Sequence, residues 1–233
     1  MGLQKIFLGL LVLTAVFACN NNEEEGRDVR NYKPSDIFAD YRINGEEGKE
    51  GVTCLLQFYE GGPRGASLLL DEPAAIKIDG EAPAADSTLR TGAYYELQKP
   101  LATFGGTHTF TLTDEHGQVY EEKIEFEPLV LQTALGERVE GDSLVLQVAG
   151  LLPGEKLRVV LVDMDFNTND INRLQKVEGG QIILTREDLS QVAAGPVTLM
   201  LYKEAEKKLQ NGTAAGGQLS ITYGLSREFE LVK

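Results

Sequence analysis

Residues 106–126 read GTHTFTLTDEHGQVYEEKIEF, and this stretch decides the fold. From Thr107 to Thr113 every second residue is a threonine, while His108, Phe110 and Leu112 take the other face. From Gln118 to Phe126 the larger apolar residues Tyr120, Ile124 and Phe126 again fall two or four apart. A period of two marks a strand with one buried face. The four residues between the runs, Asp114-Glu115-His116-Gly117, end in a glycine that can take the positive φ of a tight loop. Together they predict a long antiparallel hairpin.

Shorter runs of the same kind lie on both sides. Before the hairpin, strands are predicted at Phe38 to Ile43, Val52 to Tyr59, Leu68 to Leu70, Ala75 to Ile78 and Tyr94 to Leu97. Turn signals separate them at Asn44-Gly45 and Asp79-Gly80. After it, Pro128 cannot donate to a ladder and marks a boundary. Strands then follow at Leu129 to Thr133, Ser143 to Ala149, Lys156 to Val162, Gln181 to Leu184, Val197 to Tyr202, Leu219 to Tyr223 and Arg227 to Val232. Thr185-Arg186-Glu187-Asp188 carries an N-cap signature, so Thr185 to Val192 is the one predicted helix. The pattern Gly-Thr-His-Thr-Phe-Thr-Leu-Thr-Asp (106–114) followed by Tyr120 to Phe126 resembles the last two strands of Ig-like modules common in bacterial surface lipoproteins. The Cys…Trp…Cys of antibody domains is absent, so the resemblance is one of architecture. The expectation is an all-β chain of two tandem Ig-like antiparallel β-sandwich domains, residues 35–128 and 129–233.

The start of the chain gives its address. Lys5 precedes an unbroken apolar run from Ile6 to Phe17. About a dozen apolar residues suit a secretory signal of roughly 7–15, not a bilayer span of roughly 20. The run closes on Val16-Phe17-Ala18-Cys19, which resembles the bacterial lipobox. That resemblance implies removal of residues 1–18, diacylation of Cys19 (a palmitate-type modification) and anchoring in the outer membrane, on its periplasmic or its cell-surface face. Two or three acyl chains hold stably, since each buried CH₂ contributes about 0.8 kcal/mol. Asn20-Asn21-Asn22-Glu23-Glu24-Glu25 opens a flexible tether over 19–34. Its acidic run resembles the surface-export signal of Bacteroidetes-type lipoproteins; a plain soluble spacer is the other reading.

The full sequence carries a net charge of −14, and loss of Lys5 makes the mature chain one charge more negative. Such a surface argues against nucleic acid and against a broad basic patch for anionic headgroups. With Cys19 acylated, Cys54 has no disulfide partner; it is in phase with Val52, Leu56 and Phe58 and reads as core.

Two stretches are candidate sites. Asp163, Asp165, Asn167, Asn169 and Asp170 place oxygen side chains at near-alternate positions, as a calcium loop does. Thr168 stands where an EF-hand needs its sharp-turn glycine, and Leu174 where it needs a bidentate glutamate. A polar loop capping its own backbone competes with that reading. Tyr94 and Tyr95 are candidates for stacking on a glycan, with Tyr202 and Tyr223 behind them; each also suits a sandwich core. No Ser/His/Asp spacing, HExxH or paired CxxC is present, so neither an enzyme nor a cofactor is expected beyond possible calcium. The expected role is a non-enzymatic interaction or structural accessory protein of the envelope with a protein partner. The alternative is a glycan or small-ligand binding lipoprotein of the cell surface.

Overall fold

The computed structural model describes residues 27–28, 36–164 and 170–233. Its strands are β1 (Arg27–Asp28), β2 (Ile37–Glu46), β3 (Gly51–Glu60), β4 (Leu68–Leu69), β5 (Ala75–Ile78), β6 (Ala84–Thr88), β7 (Gly92–Pro100), β8 (Gly106–Thr113) and β9 (Val119–Phe126). There follow β10 (Val130–Leu131), β11 (Arg138–Glu140), β12 (Leu144–Ala149), β13 (Lys156–Asp163), β14 (Ile171–Gln175), β15 (Gln181–Leu184), β16 (Gly195–Lys208) and β17 (Gly217–Val232). The chain is all-β, as its periodicity predicts. The α-helix among the described residues, α1 (Arg186–Gln191), starts where the sequence places it. The Thr185 hydroxyl accepts from the Asp188 N–H, and the Asp188 carboxylate accepts from the Thr185 N–H.

Nine strands make one sheet in the order β14-β13-β16-β17-β2-β3-β7-β6, with β11 beside the second half of β17. Two three-stranded sheets, β5-β8-β9 and β10-β12-β15, pack on its inner face. Ring contacts cross the layers: Tyr41 meets Phe110 at 5.3 Å and Phe126 meets Tyr223 at 6.0 Å between centroids. Leu56, Phe58, Phe110, Leu146, Leu157 and Leu201 are fully buried between the sheets. Each such side chain contributes about 1.5–3 kcal/mol.

The layered β architecture agrees with the sequence; the relation between its halves is different. Pro128 does separate the two small sheets, since β9 ends at Phe126 and β10 begins at Val130. The large sheet runs straight through. β17 pairs with β16 from Gln218 to Leu231, and its first half also pairs with β2, Gly217 opposite Ala39 through Gly224 opposite Glu46. The units expected as tandem domains therefore share one sheet and one core. The β17–β2 and β11–β17 ladders are parallel, where the sequence reading has only antiparallel pairs.

Gly224 explains why β17 reads as two strands. Glycine weakens a strand interior and suggests a break. Here Gly224 faces Tyr202 across the ladder, and a Cβ at this position would lie 2.9 Å from the tyrosine ring. The aromatic covers the bare backbone, so the strand continues. Gly45 opposite Tyr223 repeats the device on the inner face.

Where the chain passes from one small sheet to the other, a buried lysine holds it. Lys203 is 0% exposed; its Nζ donates to the Glu127 carbonyl at 2.7 Å and the Gly150 carbonyl at 3.0 Å. It also meets Glu155 Oε2 at 3.0 Å and lies 5.6 Å from the Phe126 ring centroid. Glu155 Oε2 also accepts from the Leu152 N–H, at 2.8 Å. Gly150 must be glycine: its φ is +85°, and a Cβ would lie 1.9 Å from the Pro128 carbonyl oxygen. Removing one partner of such a buried pair leaves an uncompensated charge, at about 3–5 kcal/mol. Lys203→Met and Glu155→Leu should each lower the urea midpoint sharply. The double variant should be more stable than either single one, though less than wild type because the Glu127 and Gly150 carbonyls lose their donor. Strictly additive losses in denaturation would show that the pair is not coupled.

Candidate functional site

The outward faces of the two small sheets differ in kind. On β5-β8-β9 the outward residues are threonines and Val119, itself 46% exposed, interleaved with Lys77, Glu121, Lys123 and Glu125, a charged and solvated face. On β10-β12-β15 the outward residues are Val130, Gln132, Val145, Gln147, Ala149, Gln181 and Ile183, and none carries charge. In a chain that is 25% charged this is the exception. Val145 stands directly opposite Ile183, and they are 43% and 46% exposed; Val130 is 47% exposed. Gln132, Gln147 and Gln181 form a row across the three strands: Gln147 faces Gln181, and the Gln132 N–H donates to the Gln147 carbonyl at 2.8 Å. Their amides both donate and accept, and Glu178, bridged to Gln181, stands at the edge of the row.

Local structure fixes this face. Arg173 on β14 reaches from the edge of the large sheet and donates to the Ile183 carbonyl at 2.9 Å, closing the open side of β15. The same guanidinium pairs with Asp188, whose carboxylate caps α1. Beside the face an open groove of about 440 Å³ runs between residues 150–155 and 176–180.

The predicted tyrosines separate. Tyr95 is buried, with its hydroxyl accepting from the Leu70 N–H at 2.6 Å and its ring 5.7 Å from Phe58. Tyr94 points to the outer face of the large sheet, half-buried, and donates to Asp86 Oδ2 at 3.0 Å. Tyr223 is core, whereas Tyr202 lies half-buried on the outer face, beside Gly224. Tyr94 on β7 and Tyr202 on β16 are four strands apart, about 19 Å across the sheet at roughly 4.8 Å per strand, and are offset further along the strands, Tyr94 lying level with Lys208. They do not form one platform.

Of the proposed calcium ligands, Asp165, Asn167 and Asn169 lie outside the described residues, as does Cys19. Asp163 ends β13 and accepts from the Ala193 N–H at 2.5 Å; Asp170 is exposed. Among the described residues no group of three or more His, Cys, Asp or Glu is placed to hold a metal. Cys54 is 0% exposed, and burial foremost, with Asp79 nearby, pushes its thiol up to about 12. It is an inert core residue.

The two histidines are in separate places. His116 is exposed in the β8–β9 turn. His108 is buried, stacked on Phe104 at 3.9 Å, with Nδ1 2.7 Å from Asp79 Oδ2 and Nε2 2.9 Å from the Phe104 carbonyl. Asp79 has φ +50°, a left-handed conformation that aspartate tolerates, and its other oxygen accepts from the Thr109 N–H at 2.8 Å. The sequence shows Asp79-Gly80 as a turn and His108 as one strand residue; nothing local signals that they meet.

No family model matches this chain, and no curated protein matches it. Among solved structures, the titin I-band fragment I67–I69 is 12% identical over 81% of this chain, which spans 65% of that fragment, at a TM-score of 0.27. SGBP-B of the Bacteroides ovatus mixed-linkage glucan utilization locus, in complex with a mixed-linkage heptasaccharide, is 11% identical over 91% of this chain and 70% of its own, at a TM-score of 0.20.

Three carboxyls are held below their ordinary range. Glu47 is lowered chiefly by its hydrogen bond from Arg227. For Asp79 and Asp188 partial burial pushes upward, but it is outweighed: by His108 and the Thr109 N–H for Asp79, and by the Thr185 N–H and Arg173 for Asp188. A depressed folded value means that the unfolded chain binds the proton more readily. The stabilisation is thus fully present above about pH 4 and is lost as pH falls through the folded values. The urea midpoint should hold near neutrality and drop below about pH 4, and the combined E47Q/D79N/D188N variant should show a shallower acid loss. An acid loss of equal size in the variant would show that these carboxyls do not carry it.

Proposed function

We propose that this chain is exported, anchored in the outer membrane through lipid on Cys19, and serves as a non-enzymatic interaction subunit of an envelope assembly. The observation that supports this reading is the uncharged outward face of β10-β12-β15. Depletion of charge with exposed aliphatic residues is the compositional mark of an interface centre. The other small sheet, built on the same plan, carries ordinary solvated charges and serves as the internal reference.

Size bears on the partner. Strands of 2, 6 and 4 residues, at about 3.3 Å per residue and about 4.8 Å apart, give a centre of roughly 200 Å², against about 800 Å² per side in a stable complex. A protein partner therefore reaches past Val145 and Ile183 onto the neighbouring groove and the charged rim. Asp142 and Arg186 stand there, 3.6 Å apart and largely exposed. Charge on the rim sets orientation and rate more than affinity.

A second reading, a surface binder of neutral glycan, is favoured by Tyr202. It lies beside Gly224 on the outer face and is only partly buried, so its ring is open to a sugar ring there. Under that reading Tyr202→Ala weakens binding of neutral polysaccharide, and substitutions at Val145 do not.

Photo-crosslinking amino acids placed at Val145 and Ile183 in the full lipoprotein, on intact cells, test the first reading. Both should yield the same discrete adduct, and the same reagent at Lys77 or Lys123 should not. Equal labelling from all four positions, or no adduct from Val145 and Ile183, would remove this face as a docking site.

A further inference from the structure

At one end of the large sheet β1 and three loops cluster. β1 runs parallel to β4, with Arg27 opposite Leu68. The residue before Leu68 is Ser67, which stands opposite Tyr59 near the last residue of β3. Arg27 therefore stands toward the end at which β3 finishes. The 61–66 loop leaves β3 there, and its closing bond runs from the Glu60 N–H to the Ala66 carbonyl at 3.0 Å. The β6–β7 turn, residues 88–91, is there too: Ser67 Oγ accepts from the Ala93 N–H at 3.2 Å, one strand position past Gly92. The third loop, 209–216, joins β16 to β17 at the same level, because Gly217 opens β17 opposite Ala39.

These loops have an unusual composition. Together they hold Arg64 and Arg90 and no aspartate or glutamate, in a chain with 36 acids and 22 bases. Both arginines are exposed, and neither enters the ion pairs seen among the described residues. Next to Arg90, Leu89 stands in the β6–β7 turn, 73% exposed. At the opposite end the turn between β2 and β3, residues 46–50, reads Glu-Glu-Gly-Lys-Glu. Carboxylates border the loops: exposed Asp36 precedes β2, its carbonyl accepting from the Gly61 N–H at 2.5 Å, and Glu60 closes β3, while the buried Glu122 carboxylate is taken up by the Gln210 and Asn211 N–H groups at 2.8 and 2.9 Å.

From these placements we infer that this end of the sheet rests on the anionic lipid surface that carries the anchor. Leu89 enters the boundary between headgroups and acyl chains, and Arg64 and Arg90 lie against headgroup phosphates. The inference rests on the lipid reading of Cys19. Residues 20–26 span at most about 25 Å when extended, so an anchored Cys19 keeps this end close to the bilayer. The contact makes a second attachment beside the acyl chains and fixes which way the uncharged sheet face points.

The sequence contains no tryptophan, so one introduced residue reports alone. The full lipidated protein is placed in vesicles of zwitterionic lipid with a fraction of anionic phospholipid and of spin-labelled lipid. One sample carries Leu89→Trp and the other Lys49→Trp in the turn at the far end. Flotation with the vesicles reports the anchor, while blue-shifted and quenched emission reports the contact. The expected result is flotation of both, with Leu89→Trp quenched several-fold more than Lys49→Trp. Adding R64E and R90E to the Leu89→Trp protein, or raising salt, should weaken that quenching. If both proteins float and Leu89→Trp emits as in water, the contact is overturned while the anchor stands. If neither floats, the anchor fails and the contact fails with it.

Discussion

The structure depends on one buried ammonium. Lys203 comes from the middle of the longest hairpin and reaches inward to the place where the backbone passes between the small sheets. There it meets the carbonyls of Glu127 and Gly150 and the carboxylate of Glu155. A lysine desolvated to this degree is costly unless nearly every donor is used, and here three oxygens take them. Once they do, the turn at Pro128, the close approach of Gly150 and the start of β10 are all specified by one side chain of the opposite layer.

That constraint explains why two small sheets share a single large one without a hinge. A linker between independent sandwiches would be exposed and polar. The Glu127–Leu129 segment instead lies against the core: Leu129 is 1% exposed and Phe126 fully buried. With the junction held, the outward faces of the two small sheets keep a fixed relation to each other and to the end at which β3 finishes. The contrast between them, one solvated and the other uncharged, is then a property of one rigid body.

Much of this was legible in the sequence, and what was not had physical reasons. The β8–β9 hairpin, the strong β3 strand, the core position of Cys54 and the capped helix follow from local period and cap chemistry. β6 was hidden because Asp86, Ser87 and Thr88 are polar on an exposed edge where no alternation is required. β17 looked broken at Gly224 because the ring that covers it belongs to another strand. Lys203 sits in Lys-Glu-Ala-Glu-Lys-Lys, which reads as a solvated run until the pleat turns Lys203 and Ala205 inward. The uncharged face cannot be seen as such before register is known, since its residues alternate with core residues over three separated segments. The His108–Asp79 pair and the β2–β17 ladder join positions far apart in sequence, and no local pattern encodes them. Of the residues nominated as sites, Tyr95 proved to be core and Tyr94 a surface residue tied to Asp86, while Cys19 and three of the five suggested calcium ligands lie outside the described residues.

The pairing of β2 with β17 joins nearly the first strand of the chain to its last. In vectorial synthesis, residues 37–46 appear early and residues 217–224 almost at the end. Until then β2 has only β3 as a neighbour, and its other edge presents free N–H and C=O groups. Such an edge invites pairing with any other extended chain. Closing a loop of this length is also slow, because the entropy is lost before the contacts repay it. The fold therefore carries its greatest risk of misassembly in the interval before its final strand arrives. A chain shortened by its last segment would lose the seam that makes its two halves one molecule.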